Sequence, residues 1–440
     1  MAEFDYLGRV YVDPPGVSSR APAHGCGLAR AEDTLALVSA PTRVSARISA
    51  IAESATLKVD AKAKALQAQG RPVISYAAGE PDFLTPEHIV EAASSAVLDP
   101  KNYRYTPAAG LPDLRAAIAE KTARDSGWAV EASQVVVTNG GKQAVYQAFQ
   151  TLLDDGDEVL VPTPYWTTYP EAIKLAGGVQ VDVFAGADQG YLVTVEQLEA
   201  ARTERSKVLL FVSPSNPTGA VYSAEQTRAI GEWALEHGIW VISDEIYQDL
   251  LYDGLTFSGV LEQVPALADT TILVNGVAKT YAMTGWRIGY AAGPADLIGA
   301  MATLQSQSTS NACSISQAAA VEALNGDQSF VKQSVLVYQQ RRDRCLELLN
   351  AIPGLSCRKP DGAFYLYVNC AGLLGKTTPE GKVLHTDSDV VMYLLESQGV
   401  AVVAGTAYGL APFFRMSIAT AIATLDQGCA RIATAVTALR

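Results

Sequence analysis

A lysine at the end of an apolar strand is the residue of this chain best suited to covalent chemistry. The run Thr271–Val274 leads through Asn275, Gly276, Val277 and Ala278 into Lys279. An amine at the mouth of a buried strand loses part of its hydration, which favours its neutral, nucleophilic form. Arg287 follows eight positions later, within Gly285–Trp286–Arg287–Ile288–Gly289, and could hold a phosphate. Together they suggest capture of a phosphorylated aldehyde as an imine. Taken singly, the pair would read as two solvated surface cations, but further segments of the same kind change that balance.

Each of these segments follows an expected strand. In Thr138–Asn139–Gly140–Gly141–Lys142–Gln143, two glycines between strand and helix let backbone N–H groups point at an anion, where the helix N-terminus favours negative charge. It is not a nucleotide P-loop, because Gln143 stands where Ser or Thr would follow the lysine. Trp166, in Pro164–Tyr165–Trp166, could stack on a flat heterocycle. In Ser213–Pro214–Ser215–Asn216–Pro217–Thr218–Gly219, the prolines and glycine set a sharp turn that leaves the Asn216 amide free to donate. In Ser243–Asp244–Glu245–Ile246–Tyr247, Asp244 ends the apolar strand begun at Trp240, so its carboxylate is expected to be partly buried. A buried carboxylate needs a partner, and a protonated pyridine nitrogen would serve. Tyr247 could reach the hydroxyl of the same ring. Asp244 standing alone would read as a helix N-cap.

To act together, these groups need elements that bring them to one edge. Between residues 110 and 330, strands expected at Val135–Thr138, Glu158–Val161, Lys207–Ser213, Trp240–Ser243, Thr271–Val274 and Ile288–Ala292 alternate with helices such as Lys142–Leu153 and Ala224–His237. That alternation predicts an α/β fold with a mostly parallel sheet, the last strand running against its neighbours. Ligands of such sheets sit outside the carboxyl ends of the strands. The pattern also predicts helices over Ala50–Gln69, Pro86–Val97, Gln328–Ala351, Ser388–Gln398 and Leu425–Leu439, and strands at Pro72–Tyr76, Ala363–Val368 and Val400–Val403. We therefore expect a large domain over residues 83–327 and a smaller α+β domain built from 41–82 and 328–440. Residues 1–40, with Pro14–Pro15–Gly16 and Ala21–Pro22–Ala23 and no sustained period, read as a disordered or variable extension without a secretory signal.

Composition excludes other classes. A formal net charge of −13 leaves no basic excess to neutralise a nucleic-acid backbone. The six cysteines are scattered and the four histidines show no metal-ligand spacing, so neither a disulfide framework nor a metal centre is expected. No stretch approaches the ~20 apolar residues that cross a bilayer. A reduced, cytoplasmic enzyme is the expectation.

The segments together resemble one family. Tyr105 to Gly110 (Y-x-x-x-x-G), G-G-K, P-Y-W, S-P-x-N-P-T-G, S-D-E-I-Y and A-K-T-Y-A-M-T-G-W-R-I-G occur in the order seen in class I aminotransferases, most closely the bacterial aspartate aminotransferase subgroup. The resemblance covers roughly residues 42–440. It implies pyridoxal 5′-phosphate as cofactor and the type I fold, with a seven-stranded sheet in the large domain. Lys279 would bind the cofactor aldehyde and later carry the α-proton. Asp244 would pair with the ring nitrogen, and Tyr247 and Asn216 would bond the ring oxygen. Trp166 would stack on the ring. Gly141, Lys142 and Arg287 would hold the phosphate, joined by Tyr105 from the other subunit of a homodimer. Arg415 would clamp the substrate α-carboxylate in a pocket shared with Gly79, Trp166 and Asn216, and the Lys142 side chain would read a second carboxylate. Aspartate or glutamate is the expected donor and 2-oxoglutarate or oxaloacetate the acceptor, in a ping-pong reaction; prephenate, aromatic or alanine transamination on the same fold is the alternative. Two positions depart from the family pattern: Ala404 replaces a proline, and Gly276 stands where animal-type relatives carry a phosphate-binding serine. A ligand-sensing transcription regulator lacks its basic N-terminal module here, and a nicotinamide oxidoreductase lacks its G-x-G-x-x-G turn.

Overall fold

Strands with no polar face must be covered on both sides, and that requirement organises this chain. In the computed structural model, which describes residues 43–440, seven strands form one sheet: β1 (Val135–Thr138), β2 (Glu158–Thr163), β3 (Val179–Phe184), β4 (Ser206–Val212), β5 (Trp240–Asp244), β6 (Thr271–Gly276) and β7 (Gly289–Ala292). Their spatial order is β1-β7-β6-β5-β4-β2-β3. β7 runs antiparallel to both neighbours, as expected from its place in the sequence, and the other pairs are parallel. Every residue of β1, β6 and β7 is buried, so helices cover both faces. Helix Gly141–Leu152 turns Ala144, Val145, Ala148, Phe149 and Leu152 onto one face, against Val136, Val159 and Val274.

This topology explains why one edge collects the functional groups. β1, β2, β4, β5 and β6 all end there, so the segments that follow them emerge side by side. β7 runs the other way and therefore begins at that edge, which puts Arg287, two residues before it, beside the others.

Among the described residues, the rest of the chain builds two smaller sheets. Val403–Ala404, Phe413–Ser417, Tyr365–Asn369 and Ser356–Cys357 form an antiparallel sheet, while Ile74–Ser75 pairs in parallel with Val400–Ala401. The single strand expected over Val400–Val403 is thus two, because the chain leaves one sheet and joins the other at Val402. Helices Ser329–Asn350, Asp387–Gln398 and Ile422–Thr437 cover this unit around Tyr338, Leu346, Leu394 and Leu425. The helix expected to start at Ala50 begins at Ala55, after a short turn of helix over Ala46–Ser49. Three strands lack a clear sequence signature and were not expected: β3, Phe413–Ser417 and the two-residue Ser356–Cys357. β3 is an edge strand with mostly part-exposed side chains, and Phe413–Ser417 carries an arginine at its centre, so neither shows a continuous apolar run. Ala46–Arg440 form one compact unit. The extension expected over residues 1–40 lies outside the described residues.

Tyr76 joins these layers. Its N–H bonds Ala401, its carbonyl accepts from Ser417, and its hydroxyl donates to the Thr424 carbonyl at 2.5 Å. The ring lies against Gly428 of the last helix, where even a methyl group would collide with the hydroxyl and the ring. Gly428→Ala is expected to lower the unfolding free energy by ~1–3 kcal/mol, the usual cost of overpacking, measured by urea denaturation.

Candidate active site

Asp244 is the last residue of β5 and is buried. Its Oδ2 accepts from the Tyr169 hydroxyl at 2.7 Å and its Oδ1 from the Ile246 N–H at 3.2 Å. The turn bond to Ile246 is the capping geometry that the sequence allowed, but no helix follows it. Burial raises the Asp244 carboxyl above its ordinary value, while the Tyr169 hydrogen bond pulls the other way. On the adjacent strand, Lys279 lies three residues beyond β6, and its Nζ donates to the Gly79 carbonyl at 2.5 Å. Burial, helped by Arg415, lowers the Lys279 amine to about 8, with Glu80 and Asp244 opposing. The amine is therefore nucleophilic close to neutral pH.

The second wall is a glycine cradle. Gly140 has φ 85° and turns the chain from β1 into helix Gly141–Leu152, whose first N–H groups have no acceptor within the helix. A side chain on Gly140 would strike the Arg287 guanidinium, and one on Gly289 would strike the Gly141 backbone. Arg287 has φ 56° and donates to the Thr284 carbonyl at 2.9 Å and the Asn139 carbonyl at 3.1 Å. Gly276 sits 2.9 Å from Gly289 Cα and the Ile288 oxygen, measured from where a Cβ would stand, so this chain has no room for the serine of animal-type relatives. Lys142 holds its Nζ 5.2 Å from the centre of the Trp166 ring, and burial followed by the Arg287 charge lowers its pKa.

The third wall comes from the smaller sheets. Arg415 is buried in the strand Phe413–Ser417, its guanidinium 4.4 Å from the Tyr365 ring centre and 5.2 Å from that of Tyr408. It donates to Asn216 Oδ1 at 3.0 Å and to the Ala77 carbonyl at 2.6 Å, and its Nε has no partner among the described residues. Because Asn216 uses its oxygen on Arg415, its NH₂ remains to donate elsewhere. The Tyr247 and Tyr365 hydroxyls are 2.8 Å apart.

These walls enclose a cavity of about 370 Å³. Every site residue expected from sequence lines it except Tyr105, whose side chain is 93% exposed and lies outside it. Among the lining residues that were not anticipated are Tyr169, Tyr365, Glu80 and Thr284. Tyr169 sits three residues after Trp166 and could have been read as part of the same aromatic segment. Tyr365 had no local signal, because it reaches Tyr247 from a strand 118 positions away. The Thr284 hydroxyl donates to Glu80 Oε2 at 3.2 Å, joining two segments of the cavity lining.

A buried carboxylate without a cation, an amine held near neutrality and a cationic glycine cradle fit a ligand with a basic ring nitrogen, an aldehyde and a phosphate. Residues 71–432 match the family described as aminotransferase class I and II. The chain belongs to that family. Its cofactor is accordingly pyridoxal 5′-phosphate, and the residues just described suit it group by group. This aminotransferase is 56% identical over 390 residues to an aspartate aminotransferase of Streptomyces avermitilis, spanning 89% of this chain and 95% of the relative. It is 48% identical to an aspartate/prephenate aminotransferase of Cereibacter sphaeroides, spanning 86% and 95%. The crystal structure of the Rhizobium meliloti aspartate aminotransferase superposes with a TM-score of 0.88 at 48% identity, covering 91% of this chain and all of that one. The aminotransferase therefore has the type I fold of pyridoxal-phosphate enzymes.

The lowered proton affinity of Lys279 has a measurable sign. Only the neutral amine captures an aldehyde, so the rate at which apoprotein binds pyridoxal phosphate should rise with pH and reach half its plateau near pH 8. A half-point near the ordinary lysine value, followed by stopped-flow absorbance, would contradict the burial argument.

Proposed function

We propose that this aminotransferase moves the amino group of aspartate or glutamate to 2-oxoglutarate or oxaloacetate in two half-reactions, one oxo acid leaving before the next enters. The observation that carries this reading is the buried Arg415 guanidinium. Elsewhere in the chain buried arginines are paired: Arg341 with Asp82, and Arg342 with Asp253 and Asp343. Among the described residues Arg415 has no carboxylate within 4.0 Å, and it faces the cavity beside Lys279. A desolvated cation without its counter-charge calls for an anionic ligand.

Each residue then has a task. Arg415 binds the substrate α-carboxylate and fixes Cα above Lys279. Lys279 Nζ takes the α-proton and holds it until it is returned. The bound cofactor supplies an electron-withdrawing ring that stabilises negative charge at Cα. Asp244 keeps that ring's nitrogen protonated by opposite charge. Asn216, its amide orientation set by Arg415, and Tyr247, set by Tyr365, donate to the ring oxygen. Trp166 covers one ring face. The first N–H groups of helix Gly141–Leu152 and Arg287 hold the phosphate. Lys142, over Trp166, pairs with the second carboxylate of the substrate and so favours dicarboxylic amino acids.

A prephenate-accepting activity is the second reading, favoured by the aspartate/prephenate relative; prephenate also carries two carboxylates. The exposed Leu98, Tyr103 and Tyr105 support a homodimer in which Tyr105 reaches the phosphate of the neighbouring site. The separation of the seven-stranded sheet from the two smaller sheets supports a large domain at 83–327 and a small one from 41–82 and 328–440. The cysteines of the described residues are unpaired, which supports a reducing, cytoplasmic setting.

Lys279→Ala should cut transamination at least about 100-fold and abolish borohydride labelling of the holoenzyme; labelling at another lysine would refute the assignment. Lys142→Met should lower kcat/KM for aspartate roughly tenfold more than for alanine, the worth of one charge-assisted bond, in steady-state assays. Equal losses would remove Lys142 from substrate recognition.

A further inference from the structure

Tyr169 touches two of the groups that define the ligand plane, and it lies outside every motif of the sequence. It is the first residue of helix Tyr169–Leu175 and is almost wholly buried. Its backbone N–H donates to the Trp166 carbonyl at 3.0 Å. Its ring stands perpendicular to the Trp166 ring, 88° between planes and 5.3 Å between centres. Its hydroxyl donates to Asp244 Oδ2 at 2.7 Å. One side chain thus braces the flat surface expected to cover the cofactor and the carboxylate expected to meet the ring nitrogen.

We propose that Tyr169 is a positioning residue that acts through Asp244, locking its carboxylate in the rotamer that faces the ring nitrogen while setting the tilt of Trp166. This rests on the roles given above to Asp244 and Trp166. Among the described residues Asp244 has only two hydrogen-bond donors, and the other, Ile246 N–H, is the longer at 3.2 Å. Without the tyrosine, Oδ2 loses its one fixed partner and the side chain can turn about χ1. Burial holds the Tyr169 phenol well above its ordinary pKa, so it remains a donor at any working pH. A donor to the charged form also keeps Asp244 ionised against the cost of burial.

The other groups acting on Asp244 come from two further elements. Lys279, beyond β6, favours the carboxylate. Tyr247 and Glu245, in the turn after β5, couple to it as potential negative charges. None of them is altered by removing one hydroxyl. Loss of that hydroxyl therefore raises the proton affinity of Asp244, and the carboxylate disappears at a higher pH than in the parent protein.

The test is cofactor affinity, measured on apoprotein by titration with pyridoxal phosphate at several pH values. Tyr169→Phe, which keeps the ring and its packing, should weaken binding roughly tenfold, the loss of a hydrogen bond to a charged group, and should move the acid limb of the affinity profile to higher pH. In the Asp244→Asn background the same change should have little further effect, since a residue that acts through another is non-additive with it. Placing 3-fluorotyrosine at position 169, a stronger donor of nearly the same size, should shift the acid limb the opposite way. Wild-type affinity and profile in Tyr169→Phe, or full additivity with Asp244→Asn, overturns the inference while leaving the role of Asp244 standing. Wild-type affinity in Asp244→Asn overturns the role of Asp244 and the inference with it.

Discussion

Four cations share one cavity with the buried carboxylate of Asp244, and the fold keeps these five groups from neutralising one another. Among the described residues none of Lys142, Lys279, Arg287, Arg415 or Asp244 forms an ion pair within 4.0 Å, although such pairs are frequent elsewhere in the chain. Removing charge from water without a counter-charge is costly, and folding tolerates it only where surrounding bonds over-determine each group. Here backbone carbonyls do much of that work. Gly79 receives Lys279, Ala77 receives Arg415, and Thr284 and Asn139 receive Arg287. Neutral acceptors hold the cations in place without cancelling their charge, which leaves the electrostatic demand to be met by an anionic ligand.

The same constraint explains the aromatic shell. Tyr365 and Tyr408 flank the Arg415 guanidinium, Trp166 lies beneath Lys142, and Tyr169 and Tyr247 frame Asp244. Aromatic faces stabilise cations without protonating or pairing with them, and phenols supply single, directional donors. The phenols here are buried and held above their ordinary range, so they stay neutral whatever happens to their neighbours. A site that must change its protonation at one atom, the Lys279 amine, is thus lined by phenols that do not change theirs.

Residues carried by strand ends are legible in the sequence because strand, turn and chemical group are adjacent along the chain. Asp244 after Trp240–Ile242, Lys279 after Thr271–Val274 and the Gly140–Gly141 turn after Val135–Thr138 are local patterns, and hydrophobic burial alone forces such runs into a covered sheet. Arg415 is found through family resemblance, since its own strand is broken by the charge it carries and shows no apolar period. Tyr169 and Tyr365 belong to no motif. Their contacts with Asp244 and Tyr247 cross 75 and 118 positions, and no propensity or spacing encodes a hydrogen bond between segments so far apart.

The amino-acid order by itself determined the alternation of strand and helix, the reversed sense of the last strand, and the identity of the nucleophile, because each follows from local periodicity and from which side chains can do that chemistry. It did not determine the splitting of Val400–Val403 between two sheets, the lack of space for a side chain at Gly276, or the amide orientation of Asn216 set by Arg415. Those depend on packing and on hydrogen bonds between elements distant in the chain, and only the assembled tertiary structure brings the partners together.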